Sequence, residues 1–223
     1  MMRTNESGRS MIEMLGVLAI VGVLSVGGIA GYSKAMAKFK TNKLIDQVNM
    51  LSTNIRTMYS SQRTYKGLVN GLAAKVGIAP AEMYDAQNLA GVAASSANFA
   101  LSNAFGGKVV IKAAKTNTDE DSYVIAFDEI PAASCVTIAT TDWGNDSGSG
   151  LQAISITGGD ATVAAGTLTA GTETASTAAA APSATGGTIG VVGVTNSLLP
   201  MTLPTATVAC GTVGEVSIAW KYL

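Results

Sequence analysis

No histidine occurs in the 223 residues. That removes the commonest general base and the commonest metal ligand together. Charged residues make up 13%, against roughly a quarter in an ordinary soluble domain. So poorly charged a surface is more often buried against neighbours than left facing water. Aromatic residues are 5% although hydrophobic ones are 48%. The apolar content is therefore largely Ala and Val, which suits a strand- and loop-rich exported domain. The formal net charge is −1, so there is no basic excess of the kind a nucleic-acid surface needs. There is no Gly-x-Ser-x-Gly, no phosphate loop and no metal-ligand cluster. These absences exclude the familiar enzyme classes. The expectation is a protein with no catalytic residue, no metal site and no cofactor.

What the chain does have is an apolar run near its start. From Met14 to Gly31 no residue is charged. A bilayer-spanning helix needs about 20 apolar residues, so the run nearly suffices. Glu13 sits at its mouth. A carboxylate deep in lipid costs roughly 2.5–3.5 kcal/mol on insertion scales, so a partner is expected for it. An ordinary secretory signal ends in a small-residue cleavage site and is removed entirely. Here the polar leader precedes the apolar run and a helix pattern follows without interruption.

Residues 8 to about 66, opening Gly8-Arg9-Ser10-Met11-Ile12-Glu13-Met14-Leu15, resemble the N-terminus of a type IV prepilin. That family has a short polar leader ending in Gly, a hydrophobic segment with Glu as its fifth residue, and a long amphipathic helix. With Arg9 as first mature residue, Glu13 is fifth. The resemblance implies cleavage after Gly8 by a membrane-embedded prepilin peptidase, usually with methylation of the new N-terminus. It also implies that Glu13 pairs with the Arg9 amine of a neighbouring subunit during assembly. Two positions depart from the pattern. The first mature residue is ordinarily apolar, and the Pro usual near the twenty-second mature position is replaced by Ala30.

Beyond the run, Tyr32, Ala35, Met36, Phe39, Leu44, Ile45, Val48, Leu51, Ile55, Met58 and Tyr59 recur at steps of three and four, apart from one longer gap. The spacing predicts one helix over 11–66, about 84 Å long at ~1.5 Å per residue. So long a helix is a coiled coil or the spine of a polymer, and the heptads are too irregular for a coiled coil. Two readings stand for Gly27, Gly28 and Gly31: close helix–helix packing in lipid, or a stretch that melts when the subunit enters a filament, as the resemblance implies. Lys34, Lys38, Lys40 and Lys43 form a basic cluster. The positive-inside rule would put this flank in the cytoplasm. The resemblance keeps the leader there instead, and the polar β-rich domain beyond the cluster favours that orientation.

Strands are expected at 108–113, 122–127, 134–140, 151–157 and 215–222, where β-branched residues alternate between Asn, Asp and Gly punctuation. A short helix start is expected at Pro80 to Tyr84. Residues 158–190 are low-complexity Ala, Thr, Gly and Ser, with only Asp160 and Glu173 charged. They read as flexible loop, or as surface loops and edge strands. Cys135 and Cys210 form an even pair in a region expected outside the cytoplasm. A C-terminal disulfide between them is what the resemblance implies, two buried thiols being the alternative. Asp142 to Gly148 and Thr116 to Asp121 supply oxygen ligands in turns without calcium-loop spacing. Asn145-Asp146-Ser147 matches the short N-glycosylation pattern.

Together these features predict an α+β fold of pilin-like kind. A long N-terminal helix packs against an antiparallel sheet, with a C-terminal disulfide-bounded region over 135–210. The division is a leader at 1–8, a transmembrane and assembly helix at 9–31, its amphipathic continuation at 32–66 and a head at 67–223. The expected function is the structural subunit of an extracellular type IV pilus filament, in the inner membrane as precursor and at the cell surface when mature. Its expected partners are identical subunits in a helical filament, the peptidase, the inner-membrane assembly machinery and the membrane itself, with no nucleic acid. Adhesion, conjugation, DNA uptake and motility all stand as uses. The rivals are a type II secretion pseudopilin and a bitopic, non-polymerising binding protein.

Overall fold

The computed structural model describes residues 7–144, 149–169, 171, 173–176, 178–184, 187–192, 198–212 and 214–223, with residues 7–10 as backbone only. Asn145-Asp146-Ser147 and the first six leader residues lie outside the described residues. The chain divides into two units, Met1–Phe39 and Lys40–Leu223. The helix α1, Ser7–Tyr59, runs through the boundary.

In the second unit the helical period becomes a packed face. Leu44, Val48, Leu51 and Ile55 are wholly buried and Tyr59 nearly so, at the predicted steps of four and three. The other face carries Asn, Thr and Ser, and Met50 and Met58 stay exposed. The helix stops at Tyr59 rather than near 66. Tyr65 leaves the helical path to donate its amide to the Glu120 carbonyl at 2.7 Å. Its ring lies 5.3 Å from that of Tyr59 and 4.7 Å from that of Tyr123. Tertiary packing of one half-buried aromatic residue thus accompanies the end of a helix whose local pattern could have continued.

The strands are β1 (Leu101–Ser102), β2 (Lys108–Ala114), β3 (Ser122–Pro131), β4 (Leu151–Thr157), β5 (Gly187–Val191) and β6 (Glu215–Tyr222). They form one sheet in the order β1-β2-β3-β6-β4-β5, and every neighbouring pair is antiparallel. Pleating sends alternate residues to opposite faces. One face of β6 carries Val216, Ile218, Trp220 and Tyr222 into the main core with α1. The other carries Ala219 into a smaller core of mostly alanines.

Among the described residues four further helices occur in the unit: α2 (Asn70–Lys75), α3 (Ala132–Thr140), α4 (Ala161–Gly166) and α5 (Leu203–Cys210). The start predicted at Pro80 is a single 3-10 turn, Ala81–Met83. The strand expected over 134–140 is instead α3. Its buried residues Cys135, Ile138 and Ala139 fall at helical spacing. Two of its β-branched residues return their hydroxyls to the preceding turn, Thr137 to the Ala133 carbonyl and Thr140 to that of Val136. β-branching is a weak preference that burial of the right face overrides.

The turn at Thr116 to Asp121 is held by protein groups. The Asp121 carboxylate accepts the amides of Thr116, Asn117 and Thr118 at 2.6–2.8 Å. Partial burial raises this carboxyl, but those amides outweigh it and hold its pKa below the ordinary carboxylate range. A depressed folded-state pKa gives stability that is present above the unfolded value and lost as pH falls through the folded one. Asp121→Asn is therefore expected to lose about 1–2 kcal/mol at pH 7. It should also lose less of its remaining stability below about pH 4, near the unfolded carboxylate value. Thermal midpoints at pH 7 and pH 3 measure both effects.

Candidate functional site

Met11 to Ile29 presents Met11, Ile12, Leu15, Leu18, Val23 and Leu24 with more than three fifths of each side chain exposed. By length and composition α1 is able to cross a membrane. Its most apolar window has a mean hydropathy of 2.2, and none of that window is buried. Glu13 lies on this stretch with its side chain exposed. Gly8 and Arg9 are inside α1, about one turn before Glu13. α1 passes unbroken through Gly27, Gly28 and Gly31, and a methyl group added at any of them meets no atom within 4 Å. Those glycines therefore answer no packing need among the described residues.

The basic cluster falls into two parts. Lys40 lies 5.8 Å from the centre of the Phe105 ring. Lys43 pairs with Glu82 at 3.1 Å, and this contact holds the Glu82 carboxyl below its usual range. Both belong to the head. Lys34 and Lys38 stand on the N-terminal unit, both exposed. The contacts of Lys40 and Lys43 do not discharge them, so all four lysines still count on this flank of the apolar run.

Cys135 of α3 and Cys210 of α5 form a disulfide with a Cα–Cα distance of 5.8 Å, both sulfurs wholly buried. It closes a loop with a sequence separation of 75. That loop holds β4, α4, β5 and the low-complexity segment. Trp143 and Trp220 pack beside each other, ring centres 5.1 Å apart, in the main core. Burial pushes the phenols of Tyr123 and Tyr222 well above their ordinary range despite the nearby Arg56 guanidinium.

Among the described residues no group of three or more Asp, Glu or Cys side chains could hold a metal ion. A cleft of about 240 Å³ lies between Glu82, Tyr84, Asp85, Asn88 and Phe99. Its carboxylates are already engaged, Glu82 by Lys43 and Gln47 and Asp85 by Gln87 and Asn88. Sequence reasoning missed one charged group, Lys221. It is wholly buried on β6 and paired with Glu173 at 2.6 Å. A lone lysine between Trp220 and Tyr222 in an apolar strand was the available signal.

A helix apolar at its N-terminal end and packed on an antiparallel sheet further along, with a C-terminal disulfide in the head, makes a pilin-like fold. A family model described as Bundlin matches residues 34–194. The chain belongs to the Bundlin family. It is 27% identical over 139 residues to the major structural subunit of bundle-forming pilus of Escherichia coli O127:H6, a match covering 62% of this chain. The same protein of Escherichia coli O111:H- matches equally. The chain spans 66% of the length of these curated relatives. Two solved structures are similar. A type IV pilin from Vibrio cholerae El Tor biotype is 15% identical with a TM-score of 0.49, over 82% of this chain and 99% of that one. A type IVb pilin from Salmonella typhi is 17% identical with a TM-score of 0.46, over 81% and 97%.

Proposed function

We propose that the chain is a structural subunit of an extracellular type IV pilus, made as a membrane-anchored precursor and polymerised through its N-terminal helix. One observation carries this reading. The head closes its own core and its own disulfide, while the apolar side chains from Met11 to Ile29 stay exposed. At roughly 25 cal/mol per Å² of apolar surface removed from water, so much uncovered surface drives the helix first into lipid and then against other copies. The family and its relatives from a bundle-forming pilus support the same reading.

Residues 1–8 are then the cytoplasmic leader, removed after Gly8 by the prepilin peptidase, and Arg9 carries the new amine and its methyl group. Residues 9–31 span the inner membrane and later pack in the filament. Residues 32–66 carry the helix into the head, and 67–223 complete it. Glu13 sets register against the Arg9 amine of a neighbour. Gly27, Gly28 and Gly31 give the helix freedom where the filament bends it. Identical subunits, the peptidase and the inner-membrane assembly machinery are the partners.

Intact mass and N-terminal sequence of protein sheared from the cell surface test this. The expected result is a chain that begins at Arg9 and is two hydrogens light for the disulfide. Protein held only in the membrane with Met1 in place would overturn processing and polymerisation together, and leave a bitopic anchor.

A further inference from the structure

The described residues of the low-complexity segment are built into the fold. Its α4 lays Ala161, Ala164 and Ala165, followed by Leu168, on the small core opposite α1, against Val124, Ala126, Ala153 and Ala219. Alanines bury little area each, so this contact is thin compared with the main core. After Leu168 the chain turns to Lys115. Lys115 donates its amide to the Thr169 carbonyl at 3.1 Å, and Gly171 donates to the Lys115 carbonyl at 3.0 Å. It then reaches β5, the edge strand of the sheet. There Ser176 donates its amide to the Ile189 carbonyl at 2.8 Å, and Ile189 donates to Ser176 Oγ at 3.0 Å. Ala180 donates to Thr188 Oγ1 at 2.9 Å, and Gly158 donates to the Ser183 carbonyl at 2.8 Å. An uncovered edge strand is a template for pairing with another chain, and here Ser176 and Ala180 cover it at Ile189 and Thr188.

One group holds the two halves of this arrangement. Lys221 Nζ donates to Glu173 Oε1 at 2.6 Å, to the Lys115 carbonyl at 2.6 Å and to the Gly171 carbonyl at 2.7 Å. All three ammonium hydrogens are thus engaged, on a side chain with no exposure. The Glu173 side chain is only 6% exposed. A buried charge is tolerable only while its partners stay. The sheet therefore depends on the segment as the segment depends on the sheet.

We propose that residues 161–169, 171, 173–176 and 178–184 form a strap over the outer sheet face and the β5 edge, opening as one unit and latched by the Lys221–Glu173 pair. Lifting the strap uncovers the edge of β5 while α1, β2 and β3 keep their core. The device rests on contacts within the head and is independent of the filament reading.

Hydrogen–deuterium exchange of the full chain in mild detergent, read by peptide, tests it. Glu173→Gln keeps the shape and removes the charge. Exchange of peptides within 161–184 and of β5 is expected to rise at least ten-fold. Peptides of β3 and of α1 from Lys40 to Tyr59 should stay as in the parent. Subtilisin should cut the variant first within 161–184. Asp119→Asn, which breaks the exposed Lys115–Asp119 pair, should change neither readout. Unchanged strap exchange in Glu173→Gln would overturn the latch. An equal rise throughout β3 and α1 would overturn the separate opening of the strap. Lys221→Met should act more strongly, and should it fail to fold, Glu173→Gln still decides.

Discussion

Removing both cysteines, as Cys135→Ala with Cys210→Ala, is expected to lower the stability of the head by about 2–5 kcal/mol. The bond joins α3 to α5 across a sequence separation of 75. On the chain-entropy account, opening a loop of that size releases about 4.5 kcal/mol of freedom in the unfolded state. Three features should bring the result toward the upper part of the range. Both sulfurs are wholly buried. The loop holds two of the six strands, β4 and β5. Much of the rest of it is the Ala-, Thr- and Gly-rich segment, which contributes little apolar area of its own. For a domain of this size 1 kcal/mol moves Tm by about 2–4 °C, so a fall of roughly 5–20 °C is expected. Calorimetry of the solubilised full chain measures it. The double substitution is preferred because a single one leaves a free thiol. A Tm within 2 °C of the parent would mean that β4 and β5 hold this region without the bond.

Much of this architecture was legible before the structure, for identifiable reasons. The buried face of α1 could be read because Leu44, Val48, Leu51, Ile55 and Tyr59 keep helical spacing against a polar background. β2, β3, β4 and β6 could be read because β-branched residues cluster between Gly and Asp breaks. Glu13 stood out because a carboxylate beside a long apolar run contradicts its surroundings. The misreading of Ser134 to Thr140 has the opposite origin. Val136, Thr137 and Ile138 favour strand locally, and only the position of α3, with Cys135 and Ile138 turned inward, decides for helix. β5 and α4 were hidden by composition. Alanine and threonine over 158–190 suit coil, strand and helix alike. Between α4 and β5, Gly171 and Glu173 are held by Lys221, which lies 48 residues beyond Glu173. No local window contains that pair.

Glu13→Val is expected to leave the head folded, the precursor inserted and the leader cleaved, while the yield of filament falls at least ten-fold. Glu13 contributes nothing to the core, since its side chain is exposed on a unit separate from the head. Valine also lowers the cost of burying this position in lipid, because a carboxylate there is unfavourable by roughly 2.5–3.5 kcal/mol. The variant should therefore enter and stay in the membrane at least as well as the parent. What it loses is direction. Apolar packing between copies of α1 is nearly indifferent to a slide along the helix axis, because Val, Leu, Ala and Ile recur throughout Met14 to Gly31. A carboxylate that meets the Arg9 amine of its neighbour has one favourable position, since a charge in an apolar bundle is stable only beside its partner. A ten-fold loss corresponds to about 1.4 kcal/mol per subunit, which is small for an ion pair shielded from water. Glu13→Gln should behave like Glu13→Val, because the amide keeps the shape and removes the charge. Quantitative blots of sheared filament against total cell protein measure the ratio. Parental filament yield from Glu13→Val would show that the carboxylate is only solvated at the membrane surface and that apolar packing alone sets the register of the subunits.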